Sequence, residues 1–344
     1  MSMFRSILKK TGLKVWAGLF IIFLFSLWAF YNYDFHSVFL SISRANYTLI
    51  TFAVFLNIFL LYFRVLKWRF FFTPHNTISF YNMSLAAFCA YTLNMVFPAR
   101  VGLFLQAWIL SKKESIPNSS ALGTVVLTRV LDGIAIASIG LFVLLLAKEE
   151  AGAADFWSPL QKTAIIFFSL YLTFALVFFI LGKHETLHLK VSKVLKKILP
   201  KRFKEKTDKA ILSFREGMNV VNRPGQLAFI FALTFIFWAL CALWIFIFLK
   251  AFGISEISFL TPFVILVIQV FGFAIPVPGN IGPYHAATVV ALSLYGIVGE
   301  FALSIAITMH GVILITNSLP GLLYMWYEKV RNPEFSPKIM NQIK

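Results

Sequence analysis

The chain has 344 residues, 59% of them hydrophobic and 13% charged, with a formal net charge of +17. Its mean hydropathy is +0.82, and apolar stretches of about 20 residues recur from end to end, which excludes a soluble domain and indicates a polytopic α-helical membrane protein. In so apolar a chain the basic excess reports topology, not nucleic-acid binding, and Cys89 and Cys241 sit in apolar segments without metal-type spacing.

The first apolar segment, Val15 to Tyr33, follows Arg5, Lys9, Lys10 and Lys14 and reads as a retained span, being too long for a signal-peptide core. Five more spans are expected at 46–66, 119–147, 159–181, 226–250 and 299–327, six in all. Two other apolar regions, 78–110 and 257–297, are broken near the middle by Pro and Gly. The loop from Lys183 to Arg223 carries 12 Lys/Arg against 4 Asp/Glu and is expected in the cytoplasm, as is the basic N-terminus. An even number of crossings must separate them, so 78–110 is expected to enter and leave on one side. Lys112 and Lys113 then join Arg64, Lys67 and Arg69 in the cytoplasm, and the same treatment of 257–297 returns Lys329 and Arg331 there. That count places 25 basic residues inside, 4 outside and 2, Arg100 and Arg129, within the membrane.

The stretch F97-P-A-R-V-G-L-F104 aligns with V277-P-G-N-I-G-P-Y284 at an offset of 180 residues, and A121-L-G-T-V-V-L-T-R129 with A302-L-S-I-A-I-T-M-H310 at 181. Each half then reads span, span, broken hairpin, span, with opposite topology. The expected fold is a single membrane domain over 1–344. It has six full spans plus two re-entrant Pro/Gly-broken helical hairpins arranged as an inverted repeat: 1–147 (hairpin about 78–110) and 159–327 (hairpin about 257–297), joined through the basic cytoplasmic loop 183–225. Paired broken helices in inverted repeats mark alternating-access transporters, whose sites lie near the midplane. The breaks fall at Pro98 and Gly102 in the first hairpin and at Pro276, Pro278, Gly279 and Gly282 in the second.

The run L93-N-M-V-F-P-A-R-V-G-L-F-L-Q-A-W108, the R129-V-L-D132 element and P276-V-P-G-N-I-G-P-Y-H-A-A287 with Y295-G-I297 resemble the flippase-like transmembrane domain of lysylphosphatidylglycerol synthetases and its stand-alone relatives in bacteria and archaea. The resemblance covers nearly the whole chain. It implies lipid translocation and not lipid synthesis, since the chain ends about 17 residues after the last span, without the soluble aminoacyl-transferase of the bifunctional relatives. The pattern departs at His285, where many members carry Glu, and at Leu103, where many carry an acidic residue or Gly.

Arg100 falls where the segment after the first break would begin as a helix, a place where free N–H groups and a guanidinium attract one anion. The alternative is an Arg that caps carbonyls freed by Pro98 or reaches the interface. Arg129 and Asp132, three apart, share a helix face and can pair, either as a packing staple or as part of a substrate or proton path. With Arg100 these side chains sum to +1, which suits an anionic headgroup. Asn94, Asn280 and Gln269 offer neutral hydrogen bonds near the breaks, as packing groups or ligands. His285 falls on the first turn after the second break and His310 at the repeat position of Arg129, and both read as packing groups or as proton-coupling groups.

H184-E-T-L-H188 matches the helical zinc pair H-E-x-x-H, but it lies in the basic loop and follows L131-D-G133, whereas in intramembrane zinc proteases the order is reversed. No metal, no cofactor and no enzymatic activity are expected. The segment L189-K-V-S-K-V-L-K-K-I-L199 spaces Leu, Val and Ile for a basic amphipathic helix, so the 183–223 loop is expected to lie on anionic inner-leaflet lipids. The expected function is translocation of an anionic phospholipid or lipid-linked headgroup across the cytoplasmic membrane of a bacterium or archaeon, with both termini cytoplasmic. A small-solute or ion transporter and a scaffold for a lipid-modifying enzyme stand as alternatives, and the oligomeric state stays open.

Overall fold

The computed structural model describes residues 20, 22–25, 27, 31–72, 78–96, 102–146, 165–166, 168–173, 175–176, 179–180 and 211–331. The described residues are all helical or connecting, with no strand among them. In chain order the main helices are α1 (Phe35–Ser43), α2 (Tyr47–Arg69), α3 (Phe80–Val96), α4 (Gly102–Glu114), α5 (Asn118–Leu146), α6 (Pro224–Ala251), α7 (Thr261–Ala274), α8 (Pro283–Ser293) and α9 (Gly299–Arg331). Four of these, α2, α5, α6 and α9, contain stretches long and apolar enough to cross a membrane. The expected spans 15–33 and 159–181 lie only in part within the described residues, and the loop through residue 210 with its H-E-x-x-H and amphipathic segment lies outside them.

Local chemistry sets the helix ends. Asp34 accepts from the N–H groups of His36 and Ser37 at the start of α1, and Asn46 from those of Thr48 and Leu49 at the start of α2. Proline occupies the first turn of α6, α7 and α8, where its missing N–H would have no helical partner anyway.

The two regions read as broken fold as two short helices each. At about 1.5 Å per residue none of these four helices reaches the roughly 30 Å of a hydrocarbon core. Both pairs fold back on themselves. Glu114, at the end of α4, accepts from the Ser79 N–H at 3.1 Å and from Asn82 at 2.7 Å, so the entry of α3 and the exit of α4 are tied together. At the open end of α7–α8, Leu294 and Tyr295 pack with Val264, Leu260 and Phe263.

Packing partnerships come in matching sets. Helix α3 packs on α4 and α9, and α7 packs on α8 and α5. Helix α4 leans on α5, and α8 on α9; α2 touches α3, α5 and α9, while α6 touches α7, α9 and α5. Between the halves, α9 packs on α3 and α2 on α6, and the latter two run antiparallel. The Asn46 N–H donates to the Ala251 carbonyl at 2.7 Å at one end, and Gln226 Nε2 to the Phe70 carbonyl at 2.5 Å at the other. The buried side chains divide accordingly: one cluster is drawn mainly from residues 61–131 and 218–230, the other from 45–60 and 237–312.

Close approach in this bundle depends on small residues. Helix α9 carries Pro320 and Gly321 against α3, where Thr92 donates to the carbonyls of Asn317 and Ser318, and a Cβ at Gly321 would collide with Thr92 and the Phe88 carbonyl. At the end where α4 and α9 finish, Lys113 pairs with Glu328 at 2.6 Å; at the opposite end the Asp34 N–H reaches Glu300 at 3.4 Å.

Candidate functional site

The closed ends of the two helix pairs meet. After α7 the chain passes Pro276 in extended backbone and makes one 3-10 turn, Pro278–Asn280, with positive φ at Gly279 (61°), Asn280 (54°) and Gly282 (99°) before α8 begins. Positive φ costs an ordinary side chain free energy, so the two glycines are what lets the chain reverse here. This turn packs on the last turn of α3, with Gly279 against the Met95 carbonyl. On the α3 side, Asn94 Oδ1 accepts from the Gly102 N–H at 3.0 Å and so caps α4 across the first break. Pro98 and Arg100, the residues expected to form that break and hold an anion, lie outside the described residues.

Beside the meeting point is a cavity of about 610 Å³ whose wall takes residues from α2, α3, α5, α6, α7, α9 and the second turn. Asn94, Asn280 and Gln269 all line it, as do Arg129 and Asp132. The expected Arg129–Asp132 pair forms at 3.5 Å. The structure adds two residues that the sequence count placed in the cytoplasm, and corrects that count by them. Arg64 Nη2 lies 3.8 Å from Asp132, and Lys67 Nζ donates to Asp132 Oδ1 at 2.5 Å with Lys67 only 1% exposed. Both sit on the last two turns of α2, docked against α5, and so cannot count toward a cytoplasmic charge.

Three cations thus surround one carboxylate, which leaves two positive charges uncompensated among the described residues. The three contacts are unequal. Lys67 is buried and hydrogen-bonded, so it neutralises Asp132; Arg64 and Arg129 stand farther off, with side chains 24% and 32% exposed toward the cavity. Arg64 also sits over Phe237, its guanidinium carbon 4.7 Å from the ring centre, a cation–π contact that holds the group at the wall. The Nε of Arg64, Oδ2 of Asp132 and the indole N–H of Trp238 are buried and make no hydrogen bond among the described residues. Tyr171, whose hydroxyl donates to the Arg129 and Val130 carbonyls at 3.0 and 3.2 Å, closes the wall over Gly133.

His285 and His310 are placed behind the second turn and not in the cavity wall. His285 Nδ1 accepts from the Gly282 N–H at 3.3 Å, His285 Nε2 faces His310 Nδ1 at 3.3 Å, and His310 Nε2 faces the Gly279 carbonyl at 2.8 Å. One assignment satisfies all three contacts: both rings neutral and both protonated on Nε2, so that each donates onward. The pair therefore ties the turn to α9 from Gly282 to Gly279. Its two members are 25 residues apart, and only tertiary packing brings them together.

The arrangement can do something specific. Two partly exposed guanidiniums face the cavity where the broken helices meet, which favours a small anion bound through charge-assisted hydrogen bonds. No group of three or more His, Cys, Asp or Glu side chains among the described residues is arranged to hold a metal.

Among characterised proteins and among solved structures, none matches the chain. The family model for the transmembrane region of lysylphosphatidylglycerol synthase does match, over residues 15–321. The chain therefore belongs to the lysylphosphatidylglycerol synthase transmembrane-region family, as a helical multi-pass membrane protein with a membrane lipid-related role.

Proposed function

We propose that this protein moves lipids with anionic headgroups between the leaflets of a bacterial or archaeal cytoplasmic membrane, passing the headgroup through the cavity while the acyl chains stay in the bilayer. The observation that carries the proposal is the pair Arg64 and Arg129, held at the cavity wall by a carboxylate that Lys67 already neutralises. The barrier to spontaneous lipid exchange is the cost of dehydrating a charged headgroup in hydrocarbon. Guanidiniums and carboxamides prearranged at the midplane replace that hydration.

An inverted repeat supports this reading. The helix starts Phe80 and Thr261, Gly102 and Pro283, and Asn118 and Gly299 stand at one constant offset of 181 residues. Their packing partners correspond pair by pair, and the corresponding helices α2 and α6 run antiparallel. Two helix pairs too short to span, each with its ends together, are then re-entrant hairpins that enter from opposite faces, the arrangement in which two halves rock about a shared site.

The charges favour one orientation. The end carrying Glu114 also carries Arg69, Lys112, Lys113, Arg215, Arg223 and Arg331, whereas Arg44 and Lys250 at the other end are offset by Asp34, Glu256 and Glu300. By the positive-inside rule this supports a cytoplasmic position for the first end, where α9 finishes.

Reconstitution tests the function. Purified protein in phosphatidylcholine vesicles, carrying a trace of headgroup-labelled phosphatidylglycerol on the inner leaflet, should speed its appearance outside at least tenfold over protein-free vesicles. Labelled phosphatidylcholine should gain much less. Equal rates with and without protein would contradict the proposal.

A further inference from the structure

Resting on the anion-accepting reading of the cavity, we infer that the headgroup it takes is a polyol phosphate, a phosphate ester whose remaining part is a neutral glycerol or sugar bearing several hydroxyls, and not an amine-bearing headgroup.

The inference comes from the neutral polar groups of the wall. Five carboxamides line the cavity: Asn57, Asn94, Gln269, Asn280 and Asn317. Among the described residues, three spend one end on the protein and keep the other. Asn57 Nδ2 donates to Thr316 at 2.6 Å and leaves Oδ1; Gln269 Nε2 donates to Thr288 at 3.0 Å and leaves Oε1; Asn94 Oδ1 accepts from Gly102 and leaves Nδ2. The side chains of Asn280 and Asn317 make no hydrogen bond among the described residues. The wall therefore presents free donors and free acceptors side by side, with no added charge.

A hydroxyl is both donor and acceptor and can use either kind of group, so a ligand with several hydroxyls satisfies such a wall best. Phosphate alone accepts only and would leave the free Asn57 and Gln269 oxygens without donors, at the usual desolvation cost. An ammonium could donate to the same oxygens, but the carboxylate in the wall, Asp132, is held by Lys67 and flanked by two guanidiniums, so the local field repels a cation. Size agrees as well. About 610 Å³ is many times the roughly 30 Å³ share of a water molecule, enough for a phosphate and a several-carbon polyol together.

The same chemistry is found on a lipid or on a free sugar phosphate, and the test separates them. The full-length protein in detergent, where Trp238 and Trp244 line the cavity and report occupancy, is titrated with dioctanoyl phosphatidylglycerol, dioctanoyl phosphatidylinositol, dioctanoyl phosphatidic acid, dioctanoyl phosphatidylethanolamine and free glycerol 3-phosphate. The two polyol lipids should bind about tenfold more tightly than phosphatidic acid or phosphatidylethanolamine. Asn317→Leu should remove most of that preference without weakening phosphatidic acid. Glycerol 3-phosphate as tight as phosphatidylglycerol supports the headgroup chemistry and assigns it to a solute. Phosphatidic acid as tight as the polyol lipids in the wild type overturns the polyol assignment and leaves the anion site standing, whatever the variant does. Phosphatidylethanolamine as tight as all the anionic lipids overturns both.

Discussion

Replacing both cavity guanidiniums, Arg64→Gln with Arg129→Gln, is expected to bring transfer of an anionic lipid down to the protein-free rate while the protein stays folded and inserted. Each arginine offers charge-assisted hydrogen bonds worth about 1.5–3 kcal/mol to an anion, so each single variant should lose about 10- to 100-fold. Folding survives because neither arginine is what neutralises Asp132: their contacts at 3.8 and 3.5 Å are long, both side chains are partly exposed to the cavity, and Lys67 keeps the short bond. Arg64→Lys should fall between, since it keeps the charge but loses the planar fork over Phe237. The measurement is the initial rate of labelled phosphatidylglycerol transfer in proteoliposomes, with thermal unfolding in detergent recorded alongside. Wild-type rates in the double variant would remove the cavity from the transport path.

Asp132→Ala is expected to do the opposite, with its main effect on stability. Removing one partner of a buried ion pair typically costs about 3–5 kcal/mol because the other charge stays buried and unpaired. Three cations lose their carboxylate here, but they do not suffer equally. Arg64 and Arg129 turn into the cavity and regain water, whereas Lys67, at 1% exposure, has none to regain. The prediction is therefore specific to Lys67: adding Lys67→Met to Asp132→Ala should recover most of the lost stability, and adding Arg64→Gln should recover little. Thermal unfolding of the single and double variants in one detergent measures this. Equal recovery by both second substitutions would mean that the cluster shares its charge evenly, contrary to the geometry.

The parts legible in the sequence are those written in local chemistry. Pro276, Pro278, Gly279 and Gly282 announce a break because no helix tolerates them together, and the break lies between Ala274 and Pro283. Arg129 and Asp132 share a face by their spacing alone, and they pair. The offset of 181 between the Ala121–Arg129 and Ala302–His310 segments recurs in the helix starts, one residue from the 180 between FPARVGLF and VPGNIGPY.

Arg64 and Lys67 were not legible in the same way. Two basic residues near the end of an apolar helix look like the usual flank of a membrane span, and only the docking of α2 onto α5 turns them inward. A partial signal existed: Leu60, Arg64 and Lys67 stand at i, i+4 and i+7 and so share one face of α2, the face on which Leu60 is buried. The histidine pair carried no such signal, since nothing in the sequence says that the first turn of α8 faces the middle of α9.

Whether the two hairpins enter from opposite faces decides the inverted arrangement around the cavity. Lys112 at the end of α4 and Ser255 before α7 are both exposed, and each can carry a single cysteine in a Cys89→Ala, Cys241→Ala background. The most direct measurement is labelling of Lys112→Cys and Ser255→Cys in intact cells with a membrane-impermeant maleimide, before and after permeabilisation. Opposed hairpins predict that Ser255→Cys reacts in intact cells and Lys112→Cys only after permeabilisation. Labelling of both from the same side would contradict the inverted repeat and, with it, the shared midplane site.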